Sequence, residues 1–242
     1  MSNHTSKMKV EIWSDIMCPF CYIGKRKFES AMETFNAADH IELEWYSFQL
    51  DPDVKSGEGK NLYQYLSERK SIAYQQSVEM HKQVTDMAAV AGLEYNFDKA
   101  VVANSFDAHR LIQLAKTKGL GDAAEERLFR AYFTEGKDIS NYAVLKELGN
   151  DIGLKHAEVD EMLCSDAYTE NVQHDIREAA QIGVRGVPFF VFNRKFAVSG
   201  AQPPEVFSQA LQQSYADWYK NQPAAITEIG TGAVCTPGGD CK

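Results

Sequence analysis

The sequence predicts an α/β protein, and three observations lead to this fold class. Near the N-terminus, two segments of alternating apolar and polar residues flank a helical segment that opens with cysteine and proline. The middle of the chain has helical periodicity only. A strand hairpin and a final helix follow. The order βαβ…ββα is that of a thioredoxin fold, here with a large inserted α-helical domain. The predicted boundaries are 8–60 and 183–222 for the thioredoxin-like domain, 61–182 for the insertion and 223–242 for a flexible, cysteine-containing tail.

The N-terminal unit begins with a strand at 9–14, where apolar residues alternate with Glu11. Pro19 follows a short turn and suits the first position of a helix, because its missing N–H would be unpaired there in any case. Apolar residues continue the helix to about Phe35. A second alternating strand at 41–46 completes the βαβ unit.

The insertion is predicted to contain helices and no strand. Glycines follow several of the periodic segments and end the helices there. The predicted helices cover residues 74–91, 105–118, 122–134, 142–151 and 157–163, and a last helix, capped at 165–166, runs to 181.

Strand character returns at 188–192, and a turn at 193–195 leads to a return strand at 196–200. Pro203 and Pro204 open the closing helix, which runs to about Tyr219. The two strands therefore form a hairpin that can join the sheet of the N-terminal unit.

Composition excludes two classes of partner. The chain has 242 residues, with 25 Lys and Arg against 34 Asp and Glu, a formal charge of −9. It lacks the basic footprint that nucleic acid and anionic lipid require, so neither is a predicted partner. No run approaches the roughly 20 apolar residues of a membrane helix, and no signal peptide is recognised. We therefore expect a cytoplasmic protein, either a monomer or a homodimer.

Two of the five cysteines form a Cys-Pro-Phe-Cys motif at Cys18 and Cys21. Thiol–disulfide exchange needs one thiolate that attacks and a second thiol that resolves the mixed disulfide, and this spacing at a helix start supplies both. Unpaired N–H groups at the helix start favour a thiolate on Cys18. Asp15 either opposes that thiolate by its charge or caps the turn, and the turn role is favoured. Half of a zinc site and two core cysteines are the alternatives; no metal site is predicted.

The other three cysteines are Cys164, Cys235 and Cys241. Cys164 is predicted to be a buried helix thiol. Cys235 and Cys241 enclose five residues, two of them glycine, so that a small ring could close. The hypothesis for this tail pair is an auxiliary redox pair that exchanges electrons with the Cys-Pro-Phe-Cys motif. The alternatives are an uncoupled pair and a metal-scavenging tail.

A second motif, Gly186-Val187-Pro188-Phe189-Phe190, places a proline at the start of the late strand. A trans proline of an edge strand would be the ordinary interpretation. With the cysteine motif upstream and the hairpin downstream, a cis Val187–Pro188 bond is the favoured prediction. Such a bond would leave the N–H and C=O of Val187 free to pair with an extended substrate peptide beside the cysteine.

Four stretches together resemble the DsbA-like thioredoxin superfamily. They are residues 14–24, 48–52, 104–110 and 183–190, and the resemblance extends over about residues 8 to 220. The closer match is its cytosolic FrnE-like branch, which shares an architecture with 2-hydroxychromene-2-carboxylate isomerase and kappa-class glutathione transferase. The resemblance implies that Cys18 is the nucleophile and Cys21 the resolving thiol. The expected substrate contacts are Pro19, Phe20, Val187 and Pro188.

The function that the resemblance implies is a thiol–disulfide oxidoreductase acting on protein or small-thiol substrates. It requires no dissociable cofactor, and its electrons come from or go to a dithiol partner or glutathione as co-substrate. The isomerases and kappa transferases carry Ser where this chain has Cys18, so the dithiol here favours disulfide chemistry. The alternatives are a glutathione-dependent isomerase or transferase and a non-catalytic, chaperone-like binding module.

Four polar residues of the stretch 104–110 have two possible roles: Asn104, Asp107, His109 and Arg110. They could form a polar wall of a cleft between the insertion and the core. They could also be a helix cap, a surface ion pair and a hydrogen-bonded histidine. The sequence leaves both roles open.

Overall fold

The computed structural model describes residues 7–56 and 59–222, which form one mixed sheet of four strands with helices packed on it. The strands are β1 (Met8–Ser14), β2 (Ile41–Ser47), β3 (Phe189–Phe192) and β4 (Phe196–Ser199). Their order is β2-β1-β3-β4, with β1 and β2 parallel and the other two pairs antiparallel. The predicted thioredoxin topology is confirmed.

Helix α1 (Pro19–Glu33) connects β1 to β2. Seven helices follow between β2 and β3: α2 (Leu62–Lys70), α3 (Tyr74–Val90), α4 (Phe106–Lys116), α5 (Gly121–Phe129), α6 (Tyr142–Asp151), α7 (His156–Leu163) and α8 (Thr169–Gln181). Helix α9 (Pro204–Lys220) is the last element of the described residues. Within the described part of the insertion, the one β-type pairing is an isolated bridge between Asn61 and Val101.

Two predicted helices differ from the observed ones. The helix predicted over 122–134 is α-helical only to Phe129 and continues as a π-helical turn at Arg130–Thr134. The last helix of the insertion begins at Thr169 rather than just after 165–166. Tyr168, the residue before it, has a left-handed backbone with φ 63°, and a right-handed helix cannot run through a residue in that conformation.

The sheet is buried on both faces. On one face, α1 and α9 pack together over β1, β3 and β4, and their aromatic core centres on Phe28, which contacts Phe190, Phe192 and Phe207. On the other face, Trp13 packs with residues of α8 and β3. Glu11 is therefore buried as well, although strand alternation predicts an exposed side chain. Tyr46 and Arg194 bind its carboxylate.

The insertion has its own core, and this core extends to the start of α1. Cys18, Cys21 and Tyr22 belong to the same buried cluster as apolar residues of α4 to α7. The N-terminus of α1 therefore lies where the insertion meets the sheet domain. No helix in the described ranges is long and apolar enough to span a membrane.

Candidate active site

The cysteine motif lies at the first turn of α1. Cys18 is the N-cap residue with an extended backbone, and Pro19 occupies the first helical position. The Cys18 N–H donates to the Asp15 carbonyl at 2.9 Å, and the Cys21 N–H donates to the Cys18 carbonyl at 3.0 Å. The first turn contains no acidic residue, so the positive end of the helix faces Cys18 without a competing carboxylate in that turn.

Both thiols of the motif are buried, and they differ in their electrostatic surroundings. Both are free, and Cys18 is 4% exposed whereas Cys21 is 1% exposed. Burial raises the pKa of the Cys21 thiol well above its ordinary value, and a hydrogen bond with Cys18 and the charge of Cys18 raise it further. Cys21 is therefore held as a thiol behind Cys18.

The late proline motif closes over the sulfur of Cys18. The Val187–Pro188 peptide bond is cis, as predicted. The Cys18 thiol donates to the Val187 carbonyl at 3.5 Å, and the Val187 N–H donates to no described residue. Gly24 permits the close packing of Pro188 on α1, because a Cβ at Gly24 would lie 2.9 Å from Cγ of Pro188.

A cavity of about 370 Å³ opens beside Cys18. One side, which we call the sulfur wall, comes from the thioredoxin-like part and consists of Met17, Cys18, Pro19, Phe20, Gly186 and Val187. The facing side, the insertion wall, comes mainly from α2, α3 and the segments after them. Its apolar members are Leu62, Leu66, Met80, Val84, Phe97 and Phe133. The cavity is thus an apolar pocket with a thiol on one side.

Few polar groups line the cavity. Arg69 is engaged by Asp51 and by the Leu50 carbonyl, whereas Lys70 has no ion-pair partner among the described residues. His81 donates from Nδ1 to the Ser77 carbonyl at 2.8 Å, and burial lowers its pKa. The insertion wall therefore offers a neutral imidazole and one unpaired ammonium group to an occupant.

Tyr95 connects the insertion directly to the start of α1. Its hydroxyl donates to the Pro19 carbonyl at 2.7 Å. Burial raises the Tyr95 pKa, and the charges of Cys18 and Cys21 raise it further, so the phenol remains neutral. Sequence analysis missed Tyr95 and His81, because a single residue more than 50 positions from the motif carries no spacing signal.

Asp15 has the turn role that the sequence favours. Its buried carboxylate accepts the Met17 N–H at 3.2 Å and the Leu50 N–H at 2.7 Å. His109 lies behind it, with Nε2 3.5 Å from Oδ1 of Asp15. His109 is fully buried and does not line the cavity.

Asn104, Asp107 and Arg110 also do not line the cavity. The Asn104 amide donates to the carbonyls of Pro52 and Val54 and thereby fixes the loop after β2. Arg110 pairs with Asp107 at 2.7 Å and binds backbone carbonyls at the end of α7 and in the segment between α7 and α8. Asp107 and Arg110 therefore hold the insertion together, whereas Asn104 joins the insertion to the loop after β2.

The prediction of a buried Cys164 is wrong, since this thiol is exposed. Cys164 is the C-cap residue of α7, one position beyond the buried Met162–Leu163 pair. Because the helix ends there, its periodicity no longer directs the Cys164 side chain towards the core. Cys235 and Cys241 lie outside the described residues. Within the described ranges, no group of three or more His, Cys, Asp or Glu side chains is placed to hold a metal ion.

Comparison with known proteins gives consistent matches. The family model of the DSBA-like thioredoxin domain matches residues 9–212. A crystal structure described as a "probable DsbA oxidoreductase", SCO1869 from Streptomyces coelicolor, is 37% identical, with a TM-score of 0.83 over 97% of this chain and 98% of that one. The uncharacterised protein YwbO of Bacillus subtilis (strain 168) is 26% identical, over 84% of this chain and 94% of that protein.

A more distant likeness confirms the architecture that the sequence resemblance implies. A structure of 2-hydroxychromene-2-carboxylate isomerase has a TM-score of 0.64 at 13% identity, over 89% of this chain and 100% of that one. At this identity the likeness shows the fold alone. The assignment to the FrnE-like branch stays a prediction. The match over residues 9–212 together with the SCO1869 likeness establishes that the chain belongs to the DsbA-like thioredoxin-domain family.

Proposed function

We propose that this protein is a thiol–disulfide oxidoreductase that exchanges disulfides with protein or small-thiol substrates through Cys18 and Cys21. One observation carries the proposal: the Cys18 sulfur lies at a helix N-terminus, beside an open cavity, with a buried second thiol one turn behind it. The name of the 37% identical SCO1869 supports the same chemistry.

The exchange proceeds in two steps. The Cys18 thiolate attacks a substrate disulfide, so that a bond forms between Cys18 and one substrate sulfur while the substrate S–S bond breaks. The leaving thiolate takes a proton from water. Cys21 then gives its proton to water and attacks the Cys18 sulfur, which breaks the mixed disulfide and leaves a Cys18–Cys21 disulfide; the second substrate sulfur leaves as a thiolate and takes a proton from water. The reverse sequence oxidises a substrate dithiol.

The neighbouring groups have positioning roles in this scheme. The Val187 N–H has no partner among the described residues, so it can donate to a substrate backbone carbonyl without losing another hydrogen bond. The apolar insertion wall receives the group next to the substrate sulfur. Pro19 and Phe20 provide the exposed rim of the sulfur wall, where Phe20 is 40% exposed.

The partners in this proposal are protein disulfides or thiols, with glutathione or a dithiol protein as electron donor or acceptor. No dissociable cofactor is required, because the two sulfurs carry both electrons. We propose a cytoplasmic location, where a reducing environment returns Cys18 and Cys21 to the dithiol form.

The test is disulfide reduction and mixed-disulfide trapping, with Cys235→Ser and Cys241→Ser in every variant to exclude the tail thiols. We expect Cys18→Ser to abolish reduction and Cys21→Ser to accumulate a mixed disulfide on Cys18. Cys164→Ser is the matched control, since this exposed thiol lies outside the cavity and its loss should leave the rate unchanged.

The same variants separate the alternatives. A glutathione-dependent isomerase or transferase would retain its activity with glutathione in Cys18→Ser. A chaperone-like binding module would prevent aggregation equally well in all variants and would trap no mixed disulfide. Either result would overturn the oxidoreductase proposal.

A further inference from the structure

Asp15 joins the cysteine turn to its surroundings with both its side chain and its backbone. The carboxylate holds the N–H groups of Met17 and Leu50. The backbone carbonyl accepts the Cys18 N–H, and the backbone N–H is directed at the Cys21 sulfur. A displacement of Asp15 would therefore change the environment of both sulfurs at once.

His109 is the basic group that faces this carboxylate. Among the described residues it is the one basic side chain within 4.0 Å of Asp15, at 3.5 Å from Nε2 to Oδ1. It comes from α4, in the insertion, and is fully buried. Neither ring nitrogen has a hydrogen-bond partner. A buried imidazole without partners is costly, so its placement against Asp15 requires an explanation.

Two tyrosines near Asp15 carry no charge that could offset that of the carboxylate. Burial and the charge of Asp15 raise the pKa of Tyr132, and burial, Tyr132 and Asp15 raise the pKa of Tyr65 to about 12. Both phenols remain neutral. The Asp15 carboxylate thus lies in a buried region of the turn that leads to Cys18, where electrostatic interactions are strong.

We propose that His109 is a positioning residue that sets the redox equilibrium of the Cys18–Cys21 pair through Asp15. This inference rests on the proposed function. A carboxylate three residues before Cys18 opposes a thiolate. With its proton on Nε2, the His109 ring places an N–H dipole 3.5 Å from Oδ1 and offsets the charge of that carboxylate without a hydrogen bond. His109 therefore favours the reduced form of the pair.

The redox equilibrium of the Cys18–Cys21 pair is measured against glutathione. Two glutathione thiols break the Cys18–Cys21 bond, transfer two electrons to its sulfurs, and leave a Cys18–Cys21 dithiol and one glutathione disulfide. Only the reduced form can hold the Cys18 thiolate that Asp15 opposes. Removal of His109 should consequently shift this equilibrium towards the Cys18–Cys21 disulfide.

The experiment measures this equilibrium constant in the full-length chain, with the tail cysteines replaced by serine. We expect His109→Leu to shift the constant at least threefold towards the disulfide, equivalent to about 14 mV at about 30 mV per tenfold change. His109→Gln, which can return an N–H to the same place, should keep the constant close to its wild-type value. His174→Leu is the matched control, because His174 also lies beside an aspartate, 3.9 Å from Asp175, but is exposed and outside the site.

A double-mutant cycle with Asp15→Asn separates positioning from general structural damage. Asp15→Asn alone should shift the equilibrium towards the dithiol, a measurement that does not depend on the folding of His109→Leu. In the Asp15→Asn background, the effect of His109→Leu should disappear. The inference is overturned if His109→Leu lowers the melting temperature and leaves the equilibrium unchanged, or if its shift persists without the Asp15 carboxylate.

Failure of the proposed function gives a different result. In that case the unmodified Cys18–Cys21 pair would form no disulfide in glutathione buffers, or would form one without any exchange activity. A wild-type protein that equilibrates and exchanges, together with an unshifted His109→Leu, would reject the role of His109 alone.

Discussion

The sulfur wall and the insertion wall of the cavity are built in different ways. The sulfur wall presents a thiol and backbone groups, fixed by the end of β1, the start of α1 and the segment before β3. The insertion wall presents apolar side chains, mainly from helices, and half of them are only half-buried. The backbone therefore positions the reacting groups, whereas the selection of an occupant depends on which side chains line the insertion wall.

The difference indicates which changes each wall can tolerate. A shift of α1 relative to Val187 would move the sulfur away from its carbonyl partner at 3.5 Å. A change of one apolar side chain on the insertion wall would alter the cavity and leave the sulfur in place. Four predictions test this contrast, from the largest expected effect to the smallest.

The first compares truncation behind the sulfur wall with truncation on the insertion wall. Phe28→Ala removes the ring that contacts Phe190, Phe192 and Phe207 beneath α1, and should lower the free energy of unfolding by about 3–5 kcal/mol. Leu66→Ala, on the half-buried insertion wall, should cost less than about 1 kcal/mol. Denaturant unfolding measures both. Equal losses would refute the contrast.

The second concerns the contact between α1 and Pro188. In Gly24→Ala, the new Cβ would lie 2.9 Å from Cγ of Pro188, so that the helix and the proline segment must separate. We expect a loss of about 1–3 kcal/mol in the free energy of unfolding and slower disulfide exchange. Gly186→Ala is the control, because a Cβ there meets nothing within 4 Å. A Gly24→Ala protein with wild-type stability would contradict the close packing.

The third addresses selection by the insertion wall. Leu66→Ala and Val84→Ala remove apolar surface from the cavity and leave both sulfurs untouched. Each should raise the KM for an apolar disulfide substrate several-fold, or about 1 kcal/mol of binding, with little change in kcat. Steady-state kinetics with apolar and polar substrates measures the split. A fall in kcat at constant KM would assign these residues to the chemistry instead.

The fourth is a pH effect confined to the insertion wall. Burial lowers the pKa of His81 in the folded protein, whereas the unfolded chain titrates near about 6.5. Below that pH the unfolded state binds more protons, so stability should fall as the pH decreases from 7 to 5. His81→Gln should remove well under about 1 kcal/mol of this pH dependence, because the ring is partly solvated. A His81→Gln protein that keeps the full pH dependence of unfolding between pH 7 and 5 would contradict this assignment.

Local patterns predicted much of the fold. The alternation at 9–14 and 41–46 and the hairpin at 188–200 gave all four described strands, and helical periodicity gave most helix bounds to within a few residues. The misses also have local causes. Glu11 is buried because a central strand is covered on both faces, and Cys164 is exposed because α7 ends at Leu163.

The candidate site could be predicted only in part. The Cys-Pro-Phe-Cys spacing identified the two sulfurs, and the late proline motif identified the cis bond. The residues at 104–110 were expected either in a cleft or in structural contacts, and their observed contacts include an inward one, between His109 and Asp15. Nothing in the sequence connects Tyr95 with the carbonyl of Pro19.

By itself, the sequence determined the order of strands and helices and the placement of a dithiol at a helix start, because periodicity, caps and short spacings are local properties. The tertiary structure alone decided that the Val187 carbonyl accepts the Cys18 thiol, that His109 lies behind Asp15, and that helices of the insertion form one side of the cavity. These contacts depend on how the insertion packs against the start of α1, and a pattern read along the chain contains no distance between such segments.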